Sequence, residues 1–212
     1  MAYDLEEQES IDQMKAWWDR WGTPVTAAVC VVCLGFAGWN GWNWWQRNEA
    51  AKAAGMYAQL QHAVQTNDQK NVSSLSTGLV TGYGSTIYAP LAALSAANVA
   101  LESGNFAEAK TKLEWVIEKS GRPEYDALAR IRLAGVLFDE GKLDDALKTL
   151  EAAKPDSTQL GLYHDREGDI WAAKGDLKKA REAWTKAAQA TDHQNGLARV
   201  IELKLANLPQ EG

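Results

Sequence analysis

The sequence predicts an all-α protein: a single N-terminal transmembrane helix, then a solenoid of paired helices with a C-terminal capping helix. Three observations lead there. No charged residue occurs between Arg20 and Arg47, a stretch of 26 residues. A glycine-centred motif recurs at Gly104, Gly141 and Gly175, at intervals of 37 and 34 residues. The rest of the chain is rich in Ala and Leu and poor in alternating Val, Ile and Thr, which favours helix over sheet.

Residues 1–20 form an acidic leader in which Asp4, Glu6, Glu7, Glu9, Asp12 and Asp19 face only Lys15 and Arg20. Most of the net charge of −6 lies there. The remainder is close to neutral and has no Lys/Arg cluster, so nucleic acid is not an expected partner. Ser10 and Gln13 are spaced as a capping box. Ile11, Met14, Trp17, Trp18 and Trp21 then recur at helical spacing. The expectation is a short amphipathic helix at the membrane surface, turned into the span near Gly22 and Pro24.

Residues 21–46 are the predicted span. At about 1.5 Å per residue, such a helix covers the roughly 30 Å hydrocarbon core of a bilayer. Trp17, Trp18 and Trp21 crowd one end, and Trp39, Trp42, Trp44 and Trp45 the other. An indole has an apolar body and one N–H that needs a wet partner, so these rings suit the two membrane–water interfaces and contact with membrane lipid. A cleaved signal peptide would need a basic start and a small-residue cleavage site. The acidic leader and the run Gly38-Trp39-Asn40-Gly41-Trp42 supply neither. Cys30 and Cys33, the only cysteines, fall inside the span and read as two small apolar residues on one face. Gly35, Gly38 and Gly41 form a ridge that would admit a neighbouring helix closely. Lys15 and Arg20 balance Arg47 and Lys52, so basic residues do not decide the orientation.

Residues 47–212 are the predicted repeat domain. Ala53, Met56, Tyr57, Leu60 and Val64 form an apolar stripe that carries a helix on to about Gln65. Asn67-Asp68-Gln69 breaks it, a shorter helix runs from Val72 to Val80, and Gly82, Gly84 and Ser85 make a loop. Then comes the echo: Glu102-Ser-Gly-Asn-Phe-Ala-Glu-Ala109, Asp139-Glu-Gly-Lys-Leu-Asp-Asp-Ala146 and Ala173-Lys-Gly-Asp-Leu-Lys-Lys-Ala180. The period fits a helix-turn-helix solenoid. The glycine takes the left-handed position that ends a first helix. Phe106, Leu143 or Leu177 fills the space between helices, and Ala109, Ala146 or Ala180 lets them touch. A last helix, from about Gly196 to Asn207, carries Leu197, Val200, Ile201, Leu203, Leu205 and Leu208 and is expected to cap the stack.

The units resemble tetratricopeptide repeats, most fully in the third, with Gly168, Trp171, Gly175, Leu177, Ala180, Trp184 and Ala187. Ala97 and Ala134 stand where the first-helix glycine of that pattern would be. The likeness implies that the first helix of each pair lines a concave surface. Counting back from the turn glycines places Leu91, Leu94 and Asn98 there from the first repeat. Leu128, Ile131 and Phe138 come from the second, and Asp165 and Asp169 from the third. A groove apolar at one end and acidic at the other would suit a segment with hydrophobic anchors and a basic end.

Nothing points to catalysis. His62, His164 and His193 are far apart, and Asp165 and Asp192 read as helix-surface or capping groups. There is no phosphate-binding glycine loop, no nucleophile elbow and no metal-ligand spacing, so neither an enzyme nor a cofactor is expected.

Leader, anchor and repeats together resemble the YfgM family, the ancillary subunit of the Sec translocon in Gram-negative inner membranes. The likeness runs through Met14-Lys-Ala-Trp-Trp18, Gly38-Trp-Asn-Gly-Trp42, Ile87-Tyr-Ala-Pro-Leu-Ala92, Arg130-Ile-Arg-Leu-Ala134 and Lys174-Gly-Asp-Leu-Lys-Lys-Ala-Arg-Glu-Ala-Trp184. It implies a single-pass inner-membrane protein with its N-terminus in the cytoplasm and its repeats in the periplasm. Implied partners are the SecYEG channel, the periplasmic chaperone PpiD and translocating polypeptides. The implied role is to help newly translocated proteins reach periplasmic chaperones. An adaptor of another envelope or division complex is the alternative.

Overall fold

The computed structural model describes residues 3–192 and 195–209, and all the regular structure among them is helical. Two compact units emerge, Met1–Glu49 and Ala50–Gly212. Helix α1 (Tyr3–Gln65) runs through both.

In the first unit α1 exposes its large apolar side chains. Val31, Val32, Leu34 and Phe36 are each 69–72% exposed, as are many of their neighbours to a lesser degree. A water-soluble fold would cover such a surface, whereas a bilayer accepts it. The turn expected near Gly22 and Pro24 does not form, since α1 continues through both residues. Proline removes one N–H donor, a loss that membrane helices tolerate because neighbouring groups re-satisfy the backbone. The carbonyl that loses its donor is that of Arg20, four residues before the proline. In the same stretch the Thr26 hydroxyl donates to the Gly22 carbonyl at 2.7 Å, and the Trp18 ring lies against Gly22. Ile11, Met14, Trp17, Trp18 and Trp21 therefore belong to the same helix as the span and lie exposed along it.

The second unit is a stack of antiparallel pairs. The end of α1 packs with α2 (Gln69–Gly82) around Ala53, Leu60 and Leu79, and both meet Ala92 of α3 (Tyr88–Glu102). Helix α3 pairs with α4 (Phe106–Lys119), and α5 (Pro123–Asp139) with α6 (Leu143–Glu151). Helix α7 (Leu160–Ala173) pairs with α8 (Leu177–Ala190), and α9 (Gly196–Ala206) packs on α8. The first helices α3, α5 and α7 also touch in sequence. Pro90 sits in the first turn of α3, where the backbone N–H has no intrahelical partner to lose, and its ring is buried.

Each pair turns on one device. Gly104, Gly141 and Gly175 have φ of 76°, 75° and 83°. The following residues, Asn105, Lys142 and Asp176, donate their N–H to Ala100, Leu137 and Trp171 carbonyls at 2.8, 2.8 and 3.0 Å. This is the Schellman closure of a helix C-terminus. The next helix then starts at once, capped by Asn105 and Asp176, whose side chains accept from Glu108 N and Lys179 N. Lys142 offers no acceptor, and α6 begins without a side-chain cap.

A fourth turn of this kind precedes the three glycines. Asn67 has φ of 54°, and Asp68 N donates to the Ala63 carbonyl at 2.9 Å. Asp68 then caps α2 by accepting from Asn71 N at 3.1 Å. Asn67 lies 37 residues before Gly104, one repeat earlier. The second half of α1 and α2 thus form a repeat pair whose glycine is replaced by asparagine, the residue that best tolerates the left-handed region after glycine.

Candidate interaction surface

Helical phase alone puts Leu91, Leu94 and Asn98 on one face of α3, Leu128, Ile131 and Phe138 on one face of α5, and Asp165 and Asp169 on one face of α7. Packing then divides them. Leu94 and Ile131 are buried, 5% and 1% exposed, in the main core. Leu128 and Phe138 are half-buried against that core, Leu91 is half-buried, and Asn98 is exposed. The accessible apolar part of the surface is therefore Leu91, Leu128 and Phe138. Leu101 and Leu162 from the same helices are half-buried beside them in sequence phase.

Two arginines that sequence reasoning passed over lie between these helices. Arg132 on α5 donates from Nη1 to the Leu94 carbonyl at 3.3 Å, and burial pushes its guanidinium below its ordinary value. Arg166, one repeat later, lays its guanidinium about 3.1 Å from where a Cβ on Gly135 would stand. A methyl group at that position would push the guanidinium back by a few tenths of an ångström. These contacts lock α3 to α5 and α5 to α7.

The acidic end is not free. Asp165 is buried and Asp169 half-buried, and Lys204 from α9 places its Nζ 2.7 Å from Asp165 Oδ1 and 2.6 Å from Asp169 Oδ1. Trp184 Nε1 donates to Asp169 Oδ1 at 3.2 Å. Burial pushes the Asp165 carboxyl above the usual carboxylate range, while the Lys204 ammonium pulls it back. The expected acidic patch is thus an internal charge cluster closed by the capping helix. Lys204 could not be read from sequence as its partner, because 39 residues separate it from Asp165.

His62 is exposed, while His164 Nδ1 lies 2.9 Å from Glu167 Oε2 with its ring edge-on to Tyr163. His193 lies outside the described residues. Among the described residues no three His, Cys, Asp or Glu side chains converge as a metal site. On α1, Trp17, Trp18 and Trp21 are 51–56% exposed, and Trp39, Trp42, Trp44 and Trp45 are 46–69% exposed. The middles of the two tryptophan groups are about 35 Å apart along the helix, which matches a hydrocarbon core with its interfaces. Cys30 and Cys33 are exposed free thiols on this helix.

The chain matches the family described as a tetratricopeptide repeat-like domain over residues 15–210. It is 32% identical to the ancillary SecYEG translocon subunit of Haemophilus influenzae, over 98% of this chain and all of the relative. The protein of the same name from Aggregatibacter actinomycetemcomitans is 30% identical over the same shares, and that from Neisseria gonorrhoeae 27%. Among solved structures, a tetratricopeptide repeat protein from Parabacteroides merdae superposes with a TM-score of 0.53 at 17% identity, covering 73% of this chain and 56% of that one. That likeness concerns the fold.

Proposed function

The chain belongs to the family of ancillary SecYEG translocon subunits, and from that premise we propose that it is a membrane-anchored, non-catalytic scaffold of the Sec translocon. The observation that carries this reading is the full-length likeness, which spans anchor and repeats in one order and not the repeats alone. In this reading α1 holds the protein in the inner membrane with its N-terminus in the cytoplasm and its repeats in the periplasm. The repeats associate with SecYEG and with PpiD and help newly translocated polypeptides pass to periplasmic chaperones. The half-buried apolar side chains Leu91, Leu128 and Phe138 are the part of the surface suited to hydrophobic anchors of a partner segment. The closure of Asp165 and Asp169 by Lys204 removes the need for a basic end on that segment.

The test is purification of the full chain in a gentle detergent, with mass spectrometry of what travels with it. Sec channel subunits together with PpiD are the expected companions. Recovery of another envelope or division complex without either would overturn the reading.

A further inference from the structure

Three times along the stack a cation reaches back to the preceding first helix. Arg132 of α5 donates to the Leu94 carbonyl of α3, Arg166 of α7 lies against Gly135 of α5, and Lys204 of α9 meets Asp165 and Asp169 of α7. The third cation has two carboxylates of its own, and the first two do not. Arg132 makes no ion pair among the described residues, and its bond to the Leu94 carbonyl uses one of five guanidinium donors. Arg166 has Nη1 3.9 Å from Asp169 Oδ2, beyond hydrogen-bond reach, and its buried Nε has no hydrogen-bond partner among the described residues. Both side chains are half-buried. A half-buried charge without a counter-charge costs desolvation that its own chain does not return. Holding two helices together needs no charge, since an aliphatic side chain would do it at less cost.

Their places in the repeat make the two arginines one feature. Arg132 and Arg166 stand nine residues before Gly141 and Gly175, and Ser95 stands nine before Gly104. Each lies four residues after a half-buried leucine, Leu91, Leu128 or Leu162, and so one turn along the same helix face. Two rows therefore cross α3, α5 and α7: three leucines, and one turn nearer the turn glycines a serine and two arginines. Glu102 and Asp139 stand seven residues past Ser95 and Arg132, about 10 Å further along their helices, and pair with neither arginine.

We infer that the two rows together hold an extended polypeptide segment, its acidic side chains on Arg132 and Arg166 and its aliphatic side chains on Leu91, Leu128 and Leu162. This rests on the reading of the repeats as a polypeptide-binding scaffold and adds the chemistry of the segment. A guanidinium takes a carboxylate with two parallel hydrogen bonds, and open donors are what these two arginines offer. Helices in contact stand about 8–10 Å apart. Three residues of polyproline II cover about 9 Å and return to the same side of the segment. Acidic residues three apart therefore meet both arginines, and aliphatic residues next to them meet the leucines.

The probe is a fluorescein-labelled, C-terminally amidated peptide that repeats Glu-Leu-Pro four times, its prolines favouring that conformation. It is titrated against the full chain in phosphatidylcholine nanodiscs and read by fluorescence anisotropy. It should bind about tenfold more tightly than the same peptide with Gln for Glu, and lose that advantage at high salt. Arg132→Met and Arg166→Met should each remove most of the advantage and leave the Gln peptide's affinity unchanged. Their urea midpoints should not fall, because methionine keeps an apolar stem and removes an uncompensated charge. Equal binding of the Glu and Gln peptides would overturn the acidic assignment and leave an apolar groove standing. Binding of neither would overturn the rows as a docking site. Met variants that lose stability but keep the preference for Glu would show the arginines to be helix locks alone. Recovery of Sec channel subunits is read separately on the same chain, so failure of this proposal and failure of the Sec reading are told apart.

Discussion

The second and third repeats have the same backbone plan and opposite chemistry. In the second, Ile131, Ala134, Leu137 and Leu150 pack an aliphatic interior. The residues 34 positions later are Asp165, Gly168, Trp171 and Trp184. Two indoles replace two leucines, the alanine opposite Trp184 becomes a glycine, and a carboxylate takes the place of an isoleucine. The Trp184 ring lies 2.4 Å from where a Gly168 Cβ would stand, so the indole occupies the space that Ala134 fills in the second repeat. Its N–H must then be satisfied. Asp169 accepts it, and Lys204 pairs with Asp169 and Asp165 together. The third repeat thus depends on a charged side chain from α9, whereas the second is closed by aliphatic packing that includes Ile170 of α7. A solenoid is a sum of local pair and neighbour terms, so such a difference within one stack is tolerated wherever each neighbour interface closes.

Removing the lysine should have the largest effect. Lys204→Met leaves two carboxylates with a shared apolar neighbour, and breaking a buried pair costs about 3 kcal/mol at neutral pH. Lys204 retains 24% exposure and Asp165 9%, so the group is desolvated enough for that magnitude. The pH dependence has a definite sign. Burial already raises the folded-state pKa of Asp165, and loss of Lys204 raises it further. A raised carboxyl stabilises the fold below its unfolded value and loses that contribution as pH rises through the folded one. The deficit of the variant should therefore shrink as pH falls through the carboxylate range. Urea unfolding of the full chain at several pH values measures it, and a deficit independent of pH would mean that the ammonium charge is not what holds Asp165 and Asp169.

Gly168→Ala should come next, at about 2 kcal/mol, because it forces a methyl group against the Trp184 ring. Trp184→Leu in the same chain rebuilds the Ala134/Leu150 combination of the second repeat. The double variant should be more stable than Gly168→Ala alone, a coupling of the kind that contacting residues show. If the two losses simply add, the two repeats are not interchangeable solutions of one packing problem.

What could be read from the chain alone follows the same division. Features fixed by local backbone chemistry were legible: three left-handed glycines, the period they set, and an uncharged run flanked by indoles. Asn67 does not show itself in sequence as a fourth turn, since asparagine reads as a helix break while its φ of 54° is a matter of conformation. Pro24 signals a turn that does not form, since α1 continues through it. The candidate surface is legible only as phase. Leu91 and Leu94 both fall on the expected face, yet one is half-buried and the other buried, because depth depends on what α5 brings up against α3. Arg132 and Lys204 shape that surface through contacts 38 and 39 residues distant, which no local pattern reports.

The smallest effect tests the turns themselves. Asn105 and Asp176 each close a turn and cap the next helix, accepting from the N–H three residues on at 3.2 and 3.1 Å. Lys142 closes its turn in the same way but has no acceptor to offer. Its ammonium instead pairs with Glu140 at 2.7 Å, on an exposed surface where such pairs add little. It also stands beside the positive end of the α6 dipole, where a cation is unfavourable. Lys142→Asn would supply the missing acceptor and remove that charge without adding another carboxylate beside Asp144 and Asp145. The backbone needs no change, since φ and ψ of −86° and 64° at Lys142 are close to the −85° and 71° of Asn105. A gain of about 1 kcal/mol is the expected result, read as a higher urea midpoint with an unchanged slope. The same exchange in reverse, Asn105→Lys, should lose a similar amount in the first repeat. If neither variant moves the midpoint, the caps are geometry without energy, and the three turns are equal despite their different side chains.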